Sequence, residues 1–118
     1  MSASAEVYIS VDTSGRETRE PIQELIESTL NELGFDVNDE KRYTCGHYIS
    51  GIIVEVKGHS VAWEVFDNAW AEQLVRLIND YDETSDVEIY VYNLDREADV
   101  SVSSRDLFSE NYQQRGDE

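Results

Sequence analysis

Residues 6–34 read EVYISVDTSGRETREPIQELIESTLNELG, and this stretch decides the fold class. In its first seven residues Val7, Ile9 and Val11 alternate with polar residues or tyrosine, which is the period-two pattern of a half-buried strand. From residue 21 onward the period changes to that of an amphipathic helix, whose stripe consists of Ile22, Leu25, Ile26, Thr29, Leu30 and Leu33. The stretch therefore predicts a strand followed by a helix.

The ends of this helix are marked by residues that suit them. Pro21 fits the first helical turn, and Glu20 and Glu24 place negative charge near the positive end of the helix dipole. Gly34 is placed to end the helix, because glycine readily adopts the left-handed conformation that follows a last turn. We expect the helix to begin near Pro21 and to stop at Gly34.

The segment from 42 to 66 has strand character throughout. Turn residues at Ser50-Gly51 and Gly58-His59 divide it into predicted strands near 42–49, 52–57 and 60–66. Gly58-His59 suits a two-residue type II′ hairpin loop, and an early strand that runs on through Gly51 with a bulge is the alternative at the first turn. In the last of these strands one face is formed by Val61, Trp63 and Val65.

A second helix is predicted from a cap at Asp67 or Asn68 to about Tyr81. Its expected buried stripe consists of Ala71, Leu74, Ile78 and Tyr81, and Trp70 and Leu77 widen it. A strictly alternating strand follows at 86–92, and residues 98–103 suit a short edge strand.

The predicted order is β-α-β-β-β-α-β with that further edge strand. Two amphipathic helices on one face of a mainly antiparallel sheet would bury both stripes, which gives an α+β two-layer sandwich. A ferredoxin-like split βαβ with an extra strand is the specific form that we expect. The length of 118 residues fits one domain, predicted at 1–112, with a frayed tail at 113–118.

The charge excludes several partners. With 26 Asp and Glu against 9 Lys and Arg, the chain has a formal net charge of −17, so phosphate backbones and anionic membrane surfaces are repelled. Two interpretations stay open: adaptation to high salt, or an acidic face shaped for a basic protein site.

The absence of a signal peptide in the sequence, together with a single cysteine, predicts a cytoplasmic protein.

The outward faces of the strands supply the candidate binding residues. Three tyrosines are interleaved there with carboxylates, and the predicted set is Tyr8, Tyr90, Tyr92, Glu88, Glu6 and Asp12. Tyrosine is enriched at protein interfaces, and aromatic sheet faces that stack RNA bases need basic neighbours that are missing here. A basic protein surface, or a second copy of the chain, is therefore the expected partner. Ordinary cross-strand tyrosine pairing on a solvated sheet is the alternative.

Soft metal ligands and nucleophiles are scarce. Cys45, His47 and His59 are the candidates, and a closed zinc site would need a carboxylate as a fourth ligand. A reactive thiolate needs an electropositive setting, whereas this chain is rich in carboxylates. We expect no metal, no cofactor and no catalytic activity.

The segment Val11-Asp12-Thr13-Ser14-Gly15-Arg16 resembles part of the metal-dependent adhesion site of von Willebrand A-type domains. The resemblance implies a magnesium site that uses Asp12 and Ser14, but Arg16 occupies the position of the second serine. The chain is also too short for that doubly wound fold. We interpret the segment as a turn capped by side-chain hydrogen bonds of Asp12.

These observations predict a non-catalytic, acidic interaction protein of a salt-adapted organism, or of its virus or plasmid. Two alternatives remain: a nucleic-acid-mimicking inhibitor of a host defence or regulatory protein, and a small metal-dependent or thiol enzyme.

Overall fold

The computed structural model describes residues 3–13, 15–94, 99–105 and 107. It contains two helices and five strands, which we number in chain order: β1 (Ala3–Asp12), α1 (Arg19–Glu32), β2 (Tyr43–His47), β3 (Gly51–Val61), α2 (Asn68–Tyr81), β4 (Asp86–Asn93) and β5 (Asp99–Ser103). The strands form one antiparallel sheet in the order β2-β3-β1-β4-β5. The two helices pack on one face of this sheet, so the α+β two-layer sandwich is confirmed.

The sheet contains two interlocked βαβ units. In the unit β1-α1-β2 the two strands are parallel to each other and β3 lies between them, and in β3-α2-β4 the strand in between is β1. This is the element order of a split βαβ, and β5 extends the sheet beyond β4. The ferredoxin-like assignment itself stays a prediction.

Alternation along the central strands builds the core. Every second residue of β1 is fully or almost fully buried against the helices, and β3 and β4 contribute in the same way. The helices supply the other half of the core with Ile22, Ile26, Leu30, Leu33, Ala71, Leu74, Val75 and Ile78. The apolar stripes read from the sequence therefore face the sheet, apart from two positions of α2: Leu77 and Tyr81 are exposed, and Val75 is buried in their place.

The helix ends follow from local chemistry. Gly34 has a φ of 101° and follows the last turn of α1, and the N–H of Phe35 donates to the carbonyl of Leu30 at 3.0 Å. This is the hydrogen bond of a Schellman cap, and it turns Phe35 into the core. The predicted end of the first helix is confirmed, and its start lies two residues before Pro21.

The predicted turn at Gly58-His59 is wrong, and with it the third strand between the helices. β3 continues through both residues to Val61, and Trp63–Phe66 forms a 3-10 turn that leaves Trp63 exposed. Opposite Gly58 the register slips between Ala3 and Ala5, which marks a β-bulge. A Cβ at Gly58 would lie 2.5 Å from Cγ1 of Val61 and 2.9 Å from the ring of Phe35, so this glycine makes room for two core side chains.

The first hairpin and the last strand lie close to where the sequence predicts them. β2 and β3 are joined by a tight turn in which the N–H of Tyr48 donates to the carbonyl of Gly51 at 2.7 Å. A Cβ at Gly51 would overlap the carbonyl oxygen of Val11, which explains the glycine at this close approach. β5 confirms the predicted short edge strand. The predicted tail, 113–118, lies outside the described residues.

Neither of the described helices is long and apolar enough to cross a membrane.

Candidate functional site

The sheet face opposite the helices, which we call the open face, carries side chains from all five strands. Alternation and strand pairing place these residues on it: Glu6, Tyr8, Ser10, Asp12, Thr44, Tyr48, Ile53, Glu55, Lys57, Asp86, Glu88, Tyr90, Tyr92, Ser101 and Ser103. All six residues predicted as binding residues are in this set. The helices cover the other side, so these side chains remain partly or largely accessible.

The centre of the open face is a pair of tyrosines. β1 and β4 are direct neighbours, and Tyr8 lies opposite Tyr90. The two ring centroids are 6.2 Å apart with the planes tilted by 42°, which is within the range of favourable aromatic pairs. Because β1 and β4 are paired, the two tyrosines share the open face through direct contact.

The third predicted tyrosine extends this pair along β4. Tyr92 lies opposite Glu6, and Glu6 in turn lies opposite Lys57 on β3. Tyr92 is 44% exposed, so a large part of its side chain is free of the strands around it. A partner that covered Tyr92 would therefore bury a large aromatic surface at this site.

The carboxylates border the tyrosines on both sides. Glu55 lies opposite Tyr8, and Glu88 lies opposite Ser10, one pleat along from the tyrosine pair. At the end of the face Asp12 and Asp86 are direct cross-strand partners, an arrangement of like charges that costs free energy in a sheet. Such a pairing is relieved by a cation, whether from salt or from a partner.

The described part of the open face is strongly acidic. Five of its side chains are carboxylates, namely Glu6, Asp12, Glu55, Asp86 and Glu88, and one is an ammonium group, that of Lys57. Tyrosine hydroxyls and carboxylates are hydrogen-bond acceptors for guanidinium groups, and tyrosine rings offer a face to cations. The open face can thus receive arginine side chains by both means.

The predicted binding residues omitted several residues of this face, among them Tyr48, Ile53, Glu55 and Lys57. Tyr48 lies over Gly46, since a Cβ at that glycine would meet the Tyr48 ring at 2.8 Å. Ile53, Glu55 and Lys57 come from β3. For Tyr48 the signal was available in the predicted strand 42–49, because the residues at 44, 46 and 48 share one face by alternation.

The sulfur and imidazole candidates are dispersed. Cys45 is on the helix side of β2, where the hydroxyl of its neighbour Tyr43 donates to Glu27 at 2.7 Å. His47 bonds to Gln23 at 2.7 Å, and His59 contacts Ser4 at 3.3 Å near the other end of β3. No group of three or more His, Cys, Asp or Glu among the described residues is arranged to hold a metal ion.

The thiol is also poorly placed for nucleophilic chemistry. Burial raises the pKa of Cys45, and the carboxylate of Glu27 adds to the rise, while a hydrogen bond with Tyr43 opposes it. Burial and the hydrogen bond to Glu27 likewise raise the pKa of Tyr43. A thiol with a raised pKa is mostly protonated at neutral pH and a weak nucleophile.

The loop that resembles an adhesion site is organised around a carboxylate from elsewhere in the chain. Thr13 is buried, and its hydroxyl donates to Asp82 at 2.7 Å while it accepts from the N–H of Gly15 at 3.3 Å. Thr18 also contacts Asp82, at 3.4 Å. Among the described residues the side chain that caps this turn is thus Thr13, not the predicted Asp12, which lies on the open face. Ser14 is outside the described residues.

Comparison with known proteins gives little further information. No protein-family model matches the sequence, and no curated protein matches it. Among solved structures the chain is similar to the de novo designed protein Foldit4, with 17% identity and a TM-score of 0.47 over 75% of this chain and 94% of that one. A likeness at this level carries no conclusion about function.

Proposed function

We propose that the chain is a non-catalytic acidic interaction protein that binds a basic protein surface through its open face. The observation that carries this proposal is the tyrosine pair of Tyr8 and Tyr90, continued by Tyr92, on a sheet face that points away from both helices. Large aromatic side chains on a solvated face are typical anchors of protein interfaces.

The charge of the same face favours a basic partner. Its carboxylates would repel nucleic acid and anionic lipid, and they would attract and orient arginine and lysine side chains. A second copy of the chain carries the same net charge of −17, so self-association through this face would bring like charges together. A basic protein is therefore a better partner than the chain itself.

The pairing of Tyr8 with Tyr90 supports the proposal energetically. Tyrosine has few rotatable bonds, and a ring held by its cross-strand neighbour loses little further freedom when a partner covers it. The pair is thus close to its bound conformation before binding. The alternative, that the tyrosines only stabilise the sheet, accounts for the ring contact but gives no role to the exposed Tyr92.

Salt adaptation remains compatible with this proposal. An acid-rich, lysine-poor surface stays hydrated in concentrated salt, and we propose that the chain comes from a salt-adapted organism or from its virus or plasmid. Inhibition of a nucleic-acid-binding protein by mimicry would be a special case of the same interaction, since such a protein presents a basic surface.

The test is calorimetric binding of a short arginine-rich peptide by matched variants. Tyr92→Ala on the open face is compared with Tyr81→Ala on α2, because these tyrosines have similar exposure of 44% and 52%. Glu88→Lys is compared with Glu72→Lys, another half-buried glutamate, which lies on α2. We expect the open-face changes to weaken binding by about tenfold or more and the helix changes to have little effect.

Equal losses for the two members of each pair would mean that only net charge or general stability matters, and the proposed site would be wrong. With a natural basic partner in hand, competition by duplex DNA for that partner would indicate the mimicry form. Binding unaffected by DNA would indicate an interaction elsewhere on the partner.

A further inference from the structure

A recess of about 370 Å³ opens where the start of α1 meets the hairpin between β2 and β3. It lies on the helix side of the molecule and shares no residue with the open face. Its lining consists of Arg16, Glu17, Arg19, Glu20 and His47. Two of the nine Lys and Arg residues of this acidic chain are thus in one small recess.

Arg19 is the unusual residue of this recess. It is the first residue of α1, and only 8% of its surface is exposed. Its Nη2 crosses to the hairpin and donates to the carbonyl of Ile49 at 2.7 Å, and its buried Nε has no hydrogen-bond partner. A buried guanidinium with one neutral partner leaves both a charge and a donor uncompensated.

No described carboxylate supplies the missing counter-charge. The ion pair that the structure shows among its described residues joins Arg42 to Asp39, and Glu17 and Glu20 line the recess without reaching ion-pair distance of Arg19. A buried cation is normally paired with an anion. In this recess the anion would have to come from outside the described residues.

The surroundings of Arg19 favour an anion as well. The positive end of the α1 dipole lies at the recess, and the capping residue Thr18 makes no side-chain hydrogen bond to the helix. Arg16 adds a second guanidinium at the rim, and the His47 ring is fixed there by Gln23. Glu17 and Glu20 oppose these charges, so they limit the affinity and favour a small anion.

We infer that this recess binds a small oxyanion, a carboxylate or a phosphate group, held by the Arg19 and Arg16 guanidinium groups at the start of α1. Guanidinium groups form paired hydrogen bonds with both kinds of oxyanion, so the geometry serves either source. The site is independent of the open face and of the function proposed for it.

The experiment titrates the uniformly ¹⁵N-labelled protein with sodium phosphate and, separately, with sodium acetate, at an ionic strength held constant with KCl. We expect saturable amide shifts confined to residues 16–20 and 47–51 with at least one of the two anions. Saturation by phosphate alone would assign the site to phosphate, and saturation by acetate would assign it to carboxylates.

Variants distinguish a specific anion site from nonspecific attraction of anions to basic residues. Arg19→Gln and Arg16→Gln, of which the second is exposed, should each weaken anion binding by about tenfold or more. Glu17→Gln should strengthen it. Arg42→Gln removes the same charge from a distant surface pair and should change the affinity by less than about twofold. Arg16→Gln keeps the test informative if Arg19→Gln unfolds the protein.

Shifts that never saturate with either anion would overturn the inference. It would also be overturned if the shifts spread over every basic residue, or if Arg42→Gln weakened binding as much as Arg16→Gln.

Discussion

The two faces of the sheet are made from the same strands, and they differ in almost every physical property. On β1 the residues facing the helices are buried completely or nearly so, whereas their neighbours on the open face are partly exposed. On β1, β3 and β4 the covered face is aliphatic, whereas the open face combines tyrosines with carboxylates. Folding free energy therefore comes mainly from one face, and the other is free to carry residues chosen for contact with a partner.

The largest expected effect is a difference in stability between substitutions of two adjacent residues of β1, one on each face. Ile9→Ala removes a fully buried side chain at the centre of the sheet and should lower the free energy of unfolding by about 2–5 kcal/mol. Tyr8→Ala, one residue away on the open face, should lower it by about 1 kcal/mol or less, since only a cross-strand pair is lost. Urea unfolding of both variants measures the difference. Comparable losses would mean that the open face is covered by another layer.

A smaller effect concerns the polar contacts that tie the end of α2 to the loop after β1. Asp82 accepts from Thr84 at 2.6 Å and from Thr13 at 2.7 Å, and these hydrogen bonds lower its pKa from 3.8 to about 2. Asp82→Asn should cost about 1 kcal/mol at neutral pH, a value reduced by the solvent around this side chain.

The contribution of Asp82 to stability should depend on pH. Because the folded-state pKa of Asp82 is lowered, its contribution to stability is present above about pH 4 and declines as the pH falls toward 2. Unfolding free energies of the wild type and of Asp82→Asn should therefore converge between these pH values. A constant difference at every pH would show that the carboxylate charge is not the source of the stabilisation.

The smallest effect concerns the acidic end of the open face. Asp12 and Asp86 are paired across β1 and β4, so Asp86→Asn should raise the thermal midpoint in dilute buffer by the equivalent of less than about 1 kcal/mol. Molar KCl shortens the Debye length to about 3 Å, so it should raise the wild-type midpoint and remove this advantage. A wild-type midpoint indifferent to KCl would contradict charge repulsion and, with it, salt adaptation.

The fold was predictable where an apolar pattern repeats over many residues and the residues at both ends of the element suit those ends. The spacing of Ile22, Ile26 and Leu30 together with Gly34 determined α1 and its end, and alternation around Ile9 determined which face of β1 is buried. Gly58 was misleading because a glycine next to a polar residue has the same sequence pattern in a turn and in a bulge. The space at Gly58 is filled by core side chains, and one of them, Phe35, comes from a distant part of the chain.

The candidate site was predictable only as far as alternation within single strands reaches. Alternation placed Tyr8, Tyr90 and Tyr92 on an outward face, but their contact depends on β1 and β4 being neighbours, and strand order is a property of the whole chain. The recess at Arg19 had no signal in the sequence. Its chemistry arises from the burial of an arginine against the carbonyl of Ile49, thirty residues along the chain.

Binding through the open face is best tested by mapping where an arginine-rich peptide contacts the ¹⁵N-labelled protein. Saturable amide shifts should concentrate on the residues of β1, β3 and β4 around Tyr8, Tyr90 and Tyr92, and Tyr90→Ala with Tyr92→Ala should abolish them while the folded spectrum persists. Shifts that instead follow the acidic residues of α1 and α2, or that survive the double change, would show that the tyrosine face is not the binding surface.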